Sequence, residues 1–510
     1  MSQPPQSQSE SAPDPTFIAL PLAAIADAAL SAASSLGASH AEVRVERIRE
    51  LLIRVRDRSL EGSADSLTAG LSVRVLHEGT WGFAATTEMT PEAAARCADD
   101  AVSVAKVCAP LNSERVELAP EPPHRATWVS EYGLNPFEVP PAERVALLLG
   151  WSDRLLSDGR VSHADASCHG VQENKFYADS AGSHIVQQRI RVHPVVTAVA
   201  VDPSSGAFDT MRTLAPPTAR GWEYLQGGAG WDWDAELAEI PELLAEKMAA
   251  PSVEAGNYDL VIDPSNLWLT IHESIGHATE LDRALGYEAA YAGTSFATFD
   301  KLGHLRYGSE IMNVTGDRTQ RWGLATVAFD DEGVQAGRWD LIKDGILVGY
   351  QLNRAMAARQ GLGRSNGCAF ADSPAHVPLQ RMANVSLSPA PGGPDTAALI
   401  EAAGEGFYVV GDKSWSIDMQ RYNFQFTGQR FYRIKGGRLA GQVRDLAYQG
   451  TTTDFWGSME ALGGESTWVL GGAFNCGKGQ PGQVAPVSHG CPSALFRAVR
   501  VLNTNEEARR

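Results

Sequence analysis

The segment His272-Glu273-Ser274-Ile275-Gly276-His277 places two imidazoles and a carboxylate within one short stretch of chain. Two borderline-soft nitrogen ligands with a carboxylate beside them are the parts of a catalytic zinc site: the nitrogens hold the metal, and Glu273 takes a proton from the water it activates. In the better known His-Glu-x-x-His spacing both histidines fall on one helical face. Here the offset is five, and five steps of about 100° swing the second imidazole about 140° away on a regular α-helix. His272 and His277 can share a face only if the helix widens into a π-bulge or ends near Gly276. The plainer reading, two unrelated structural histidines, fits any lone histidine, but the pairing around Glu273 weighs against it.

A third ligand must come from elsewhere. Phe474-Asn475-Cys476-Gly477-Lys478-Gly479-Gln480 reads as a flexible glycine loop carrying a thiol beside a lysine that favours its thiolate, which makes Cys476 the first candidate. His489 and Cys491, close by in SHGCP, are alternatives by ligand type. Arg381, His376 and Lys478 are donors by type for a developing oxyanion, and the sequence assigns them no role.

The elements that position these groups follow from pattern and punctuation. LPLAAIADAALSAASSLG suggests a first helix stopped by Gly37, after which apolar and charged residues alternate through AEVRVERIRELLIRVRDRSL, GLSVRV and GTWGFA as strands. Thr90-Pro91 opens a further helix as N-cap and first-turn proline. Pro and Glu crowd the stretch 110–123 and mark a boundary. The middle region has helical patterns near Pro141 to Leu156 and Ala235 to Ala249 around β-like stretches such as SHIVQQRIRV, with no clear chemical motif. DLVID forms a strand, and Asp263-Pro264 then caps a helix that carries the metal motif and reaches about Leu281. Beyond it, DGILVGYQLN, GFYVVG, YNFQFTG and RFYRIKGGRL read as a mainly β domain.

The expected fold class is therefore α+β: a disordered tail at 1–16, a helix-on-curved-sheet domain at 17–122, a middle α/β domain at 123–251, and a mainly β domain at 252–510 with the metal-binding helix at its start. Three domains suit 510 residues. With 43 Lys plus Arg against 61 Asp plus Glu, the formal charge is −18, which repels phosphate backbones and anionic lipid. Nucleic acid is not expected as a partner. Six cysteines without CxxC spacing suit a reducing cytoplasm, and neither a secretion signal nor a membrane-length apolar run is expected.

These blocks, in this order, resemble the TldD/PmbA family, sometimes labelled modulators of DNA gyrase, and specifically its metal-bearing TldD side. The resemblance is carried by GLSVRV, GTWGFAATTEMTPE, LWLTIHESIGHATELDRALG, FDDEG, DGILVGYQLNRAMA, RSNG, PLQRMANVSL and CGKGQ. It implies a zinc metallopeptidase with His272, His277 and Cys476 as ligands and Glu273 as base. It also implies unfolded peptides bound in extended form along a β-edge, and a dimer with a motif-less PmbA/TldE-like subunit or with a second copy. After CGKGQ the family continues with a Val-Pro-Val-Gly type run, where this chain has PGQVAPVSHGCPSALFR. The rival readings are a zinc amidase acting on small molecules and a non-catalytic module that holds peptides or a partner.

Overall fold

The computed structural model describes residues 12–227, 230–479 and 481–508. Of the expected tail, 1–11 lies outside the described residues, and Pro15–Ile18 forms one helical turn whose Thr16 N–H is capped by Asp14. The architecture is α+β.

The first sheet is built from long strands. Helix α1 (Leu22–Ser35) precedes β1 (His40–Arg56), β2 (Ser59–His77) and β3 (Thr80–Thr86), and α2 (Pro91–Cys108) follows, its Thr90 hydroxyl accepting from the Ala93 N–H. After β4 (Arg125–Val129) come α3 (Pro141–Leu156), β5 (His163–Asp179), β6 (His184–Val201), β7 (Phe208–Arg212) and α4 (Trp233–Ala249). The strand order is β3-β2-β1-β5-β6-β4, with β7 also on β6. β1 pairs with β5 from Glu42↔Asp179 to Arg56↔Asp165, so the sheet runs unbroken across position 122.

The period of two explains how this sheet is covered. Ala41, Val43 and Val45 pack under α1 and α2, and Leu51, Ile53 and Val55 pack under α3 and α4, so both helix pairs lie on one face. The alternate positions Arg44 and Ile48 face the C-terminal half, where Arg44 bonds the His376 carbonyl and Ile48 packs with Leu324 and Phe474.

The C-terminal half begins with β8 (Gly256–Ile262) and α5 (Pro264–Ile271). Its later strands are β9 (Glu405–Ile417), β10 (Asn423–Lys435), β11 (Arg438–Val443), β12 (Leu446–Thr451), β13 (Val469–Lys478), β14 (Gln483–Cys491) and β15 (Ala494–Asn503). The pairing β9-β8-β15-β12-β10 returns to β9, so five strands close into a ring. Leu267 and Ile271 of α5 join Phe424, Phe426, Tyr448 and Phe496 in the largest apolar cluster. β13 and β14 form a separate ribbon beside α5. Among the described residues, no helix is long and apolar enough to cross a membrane.

Candidate metal centre

Asp263 caps α5 through the Ser265 N–H at 3.0 Å, with Pro264 in the first turn. The regular helix stops at Ile271 rather than running to Leu281. His272–Gly276 is a π-turn, closed by the His277 N–H on the His272 carbonyl, and His277–Thr279 tightens into a 3-10 turn. Side chains take over the carbonyls that a continuing helix would use. Tyr307 Oη donates to the Ser274 carbonyl, and Gln351 Nε2 donates to that of Gly276 at 2.7 Å. Gly276 leaves room for Met382, whose Sδ a Cβ at this position would approach to 2.5 Å. The π-turn does what the five-residue spacing needs: the two imidazole centroids stand 4.7 Å apart.

Each imidazole is fixed through its Nδ1. His489 Nδ1–H donates to the Val385 carbonyl at 2.9 Å, which leaves His489 Nε2 as an acceptor for His272 Nδ1–H at 2.7 Å. His277 Nδ1–H donates to Glu280 Oε2 at 2.8 Å. Both ligand candidates therefore present an unprotonated Nε2, the tautomer a metal ligand needs. Burial holds all three imidazoles below their ordinary pKa, outweighing Glu273 and Glu280 at His272, and Cys476 and Glu280 at His277.

Cys476 Sγ lies 3.5 Å from His277 Nε2, and one ligating atom from each of His272, His277 and Cys476 falls within 4.8 Å of the others. Zinc–nitrogen and zinc–sulfur bonds of about 2.0 and 2.3 Å at a tetrahedral angle put N and S about 3.5 Å apart. The donor set and its spacing fit zinc.

Two expectations about this segment are corrected. Phe474 to Lys478 is not a flexible loop: it lies in β13, where Phe474, Cys476 and Lys478 alternate inward while Asn475 and Gly477 stay outside. Gln480 lies outside the described residues. Lys478 does not serve the thiol, because its ammonium is buried between Glu280 at 3.1 Å and Asp282 at 2.8 Å. That pairing and Arg283 hold Glu280 well below the carboxylate range against the upward push of burial.

The remaining candidates fall elsewhere. Cys491 Sγ faces the Pro264 carbonyl at 3.7 Å, outside the cluster. His489 stands behind His272. Arg381 donates to the Cys476 and Gln483 carbonyls and does not line the cleft, and His376 pairs with Asp372 at 2.6 Å.

Sequence reasoning missed Glu280 and Arg421. Glu280 carried a faint signal, one turn after His277. Arg421, whose Nη1 donates to Glu273 Oε2 at 2.9 Å across 148 positions of sequence, carried none. The cluster opens into a cleft of about 420 Å³. One wall is β13, whose edge away from β14 has no strand partner among the described residues. Thr213 to Pro217 and His193 of β6 also line the cleft, so the region without a motif supplies part of it.

Residues 41–105, 134–250 and 255–503 match, in turn, PmbA/TldA metallopeptidase domain 1, central domain and C-terminal domain. The chain belongs to the PmbA/TldD metallopeptidase family. Relatives within the PmbA/TldD family include a metalloprotease of Methanothermobacter thermautotrophicus, 28% identical, covering 91% of this chain and 96% of the relative. A zinc metalloprotease TldD homolog of Saccharolobus solfataricus is 24% identical, with 92% and 98% covered. TldE from Thermococcus kodakarensis shares the fold, with a TM-score of 0.71, 17% identity, and 94% of this chain and 99% of that chain covered.

Proposed function

We propose that this chain is a zinc-dependent peptidase that hydrolyses unfolded peptides, with His272, His277 and Cys476 as ligands and Glu273 as general base. The observation that carries the reading is the convergence of two Nε2 lone pairs and one buried thiol beneath a cleft lined by Glu273. Zinc, when bound, lowers the pKa of water towards neutrality and polarises a carbonyl.

The chain's own residues do the rest. Arg421 occupies Glu273 Oε2, which leaves Oε1 to accept the proton of the attacking water. As the water oxygen bonds to the scissile carbonyl carbon and the C–N bond breaks, Glu273 returns that proton to the leaving amine. The open edge of β13 supports an extended substrate, since it offers backbone groups that pair with a peptide of any sequence. In the cleft-lining segment 213–217 the Thr213 N–H is bonded to the Val196 carbonyl, the Leu214 N–H is bonded to Glu236, and Pro216 and Pro217 have none, so this segment offers a peptide few backbone donors. An open strand edge along the cleft favours peptides over the small molecules of an amidase.

The family, together with the TldE likeness in fold, supports a dimer with a PmbA/TldE-like subunit or a second copy. Six unpaired cysteines support a reducing cytoplasm, and the −18 charge supports a protein that leaves nucleic acid and membrane alone.

The test is zinc content by elemental analysis together with cleavage of an unstructured peptide, for wild type, Glu273→Ala and Cys476→Ala. We expect about one zinc per chain in wild type, retained without cleavage in Glu273→Ala and lost in Cys476→Ala. Wild type without zinc, even with a PmbA/TldE-like partner added, sinks the reading and leaves a peptide-binding subunit.

A further inference from the structure

Arg421 enters the cleft from the turn between β9 and β10. Its Nη1 reaches Glu273 and its Nη2 donates to the Ala292 carbonyl at 3.2 Å, while its Nε has no acceptor. A guanidinium carries five N–H groups, so these two bonds leave donors unspent at the cleft wall. The backbone holding it is strained: Arg421 sits at φ +62°, a left-handed conformation that residues with a Cβ seldom adopt.

The surrounding turn enforces that conformation. Asp418 accepts the N–H groups of Gln420, Tyr422 and Asn423, the Arg421 N–H meets the Asp418 carbonyl at 3.0 Å, and Thr452 Oγ1 donates to the Arg421 carbonyl at 2.8 Å. Strain held in place this way is typical of functional positions.

The other cations are placed differently. Arg212 lines the cleft but gives both its 2.8 Å bonds to Asp412, Arg381 holds two carbonyls and does not line the cleft, and Lys478 is enclosed by Glu280 and Asp282. Of the arginines lining the cleft, Arg421 is the one bonded to Glu273. We infer that Arg421 is a catalytic residue that stabilises the negative charge developing on the scissile carbonyl oxygen. This rests on the peptidase reading above. In that reaction Glu273 loses its charge on taking the proton of water, while charge appears on the substrate oxygen. Arg421, already beside Glu273, keeps an anionic partner throughout without reorganising.

Arg421→Gly tests this, because glycine accepts the left-handed backbone and opens room for a free guanidinium ion. The expected result is unchanged zinc content, a kcat about 100-fold lower or more, and partial recovery when guanidinium is added to the variant but none in wild type.

A role confined to positioning Glu273 is separated in the Glu273→Gln background by calorimetry on the zinc-loaded proteins. There Arg421→Gly should weaken a phosphinic peptide, which mimics the tetrahedral state, by about tenfold or more, with the matched amide peptide unaffected. Wild-type kcat in Arg421→Gly, or equal phosphinic affinity with and without Arg421, overturns the assignment and leaves the peptidase reading standing. If wild-type protein loaded with zinc and given a PmbA/TldE-like partner cuts no peptide, both fall.

Discussion

Where the first sheet meets the C-terminal half, buried charges are matched against each other. Lys175 lies 2.7 Å from Asp331 and donates to the Ala371 carbonyl at 2.6 Å, while Arg74 bridges Glu42 and Glu332 at 2.5 and 2.9 Å. Beneath the cleft the wiring differs. Glu280, Lys478, Arg283 and His489 are also buried and bonded, but they bond the imidazoles from the Nδ1 side or one another, and the ligating atoms of His272, His277 and Cys476 are left to converge within 4.8 Å. One cluster neutralises itself and joins two halves of the molecule; the other stops one bond short on the side facing the cleft. Buried charge alone does not mark a functional site in this protein. Convergent lone pairs do.

The comparison predicts that the two clusters fail in different ways. Lys175→Met removes one partner of a buried network and should cost about 3–5 kcal/mol in denaturant unfolding, with zinc content unchanged. A parallel loss of zinc would show that the clusters are not independent. The junction also sets an acid limb. Burial pushes Glu42 up, but Arg74 and His40 pull it down to about 2 from an ordinary 4.5. A depressed carboxylate stabilises above its unfolded pKa, so on the order of 3 kcal/mol should be lost as pH falls from about 4.5 through about 2. Glu42→Gln should flatten that limb, and an unchanged pH–stability curve would remove Glu42 from the account.

At the other cluster the expected losses are in metal affinity. Glu280→Gln keeps an acceptor for His277 Nδ1–H but removes its charge, and should weaken zinc about 10- to 100-fold in chelator competition. The smallest effect belongs to the neutral relay: His489→Phe should weaken zinc about tenfold, and His489→Gln, which again offers an acceptor to His272, should recover most of it. Equal losses from Phe and Gln would mean that His489 contributes packing and no hydrogen bond.

Much of this was legible in the sequence. Thr90-Pro91 and Asp263-Pro264 mark helix starts that the structure keeps, and the five-residue histidine spacing demanded a distortion that the π-turn supplies. What could not be read depends on contacts distant in sequence between ordinary residue types. His489, which the sequence offers only as an alternative ligand, and Arg421, which has no local pattern to announce it, reach the motif across 217 and 148 positions. Lys478 was misread for the opposite reason. Its nearness in sequence to Cys476 suggested a partner, but strand alternation turns it towards Glu280 and Asp282.

The most direct test of the central claim is the zinc-edge X-ray absorption spectrum of the purified wild-type protein, compared with Cys476→Ser. The account predicts one sulfur near 2.3 Å with two imidazole nitrogens and one further light atom near 2.0 Å, and loss of the sulfur shell in the variant. A shell of light atoms alone in wild type, or a sulfur shell that survives Cys476→Ser, would contradict it.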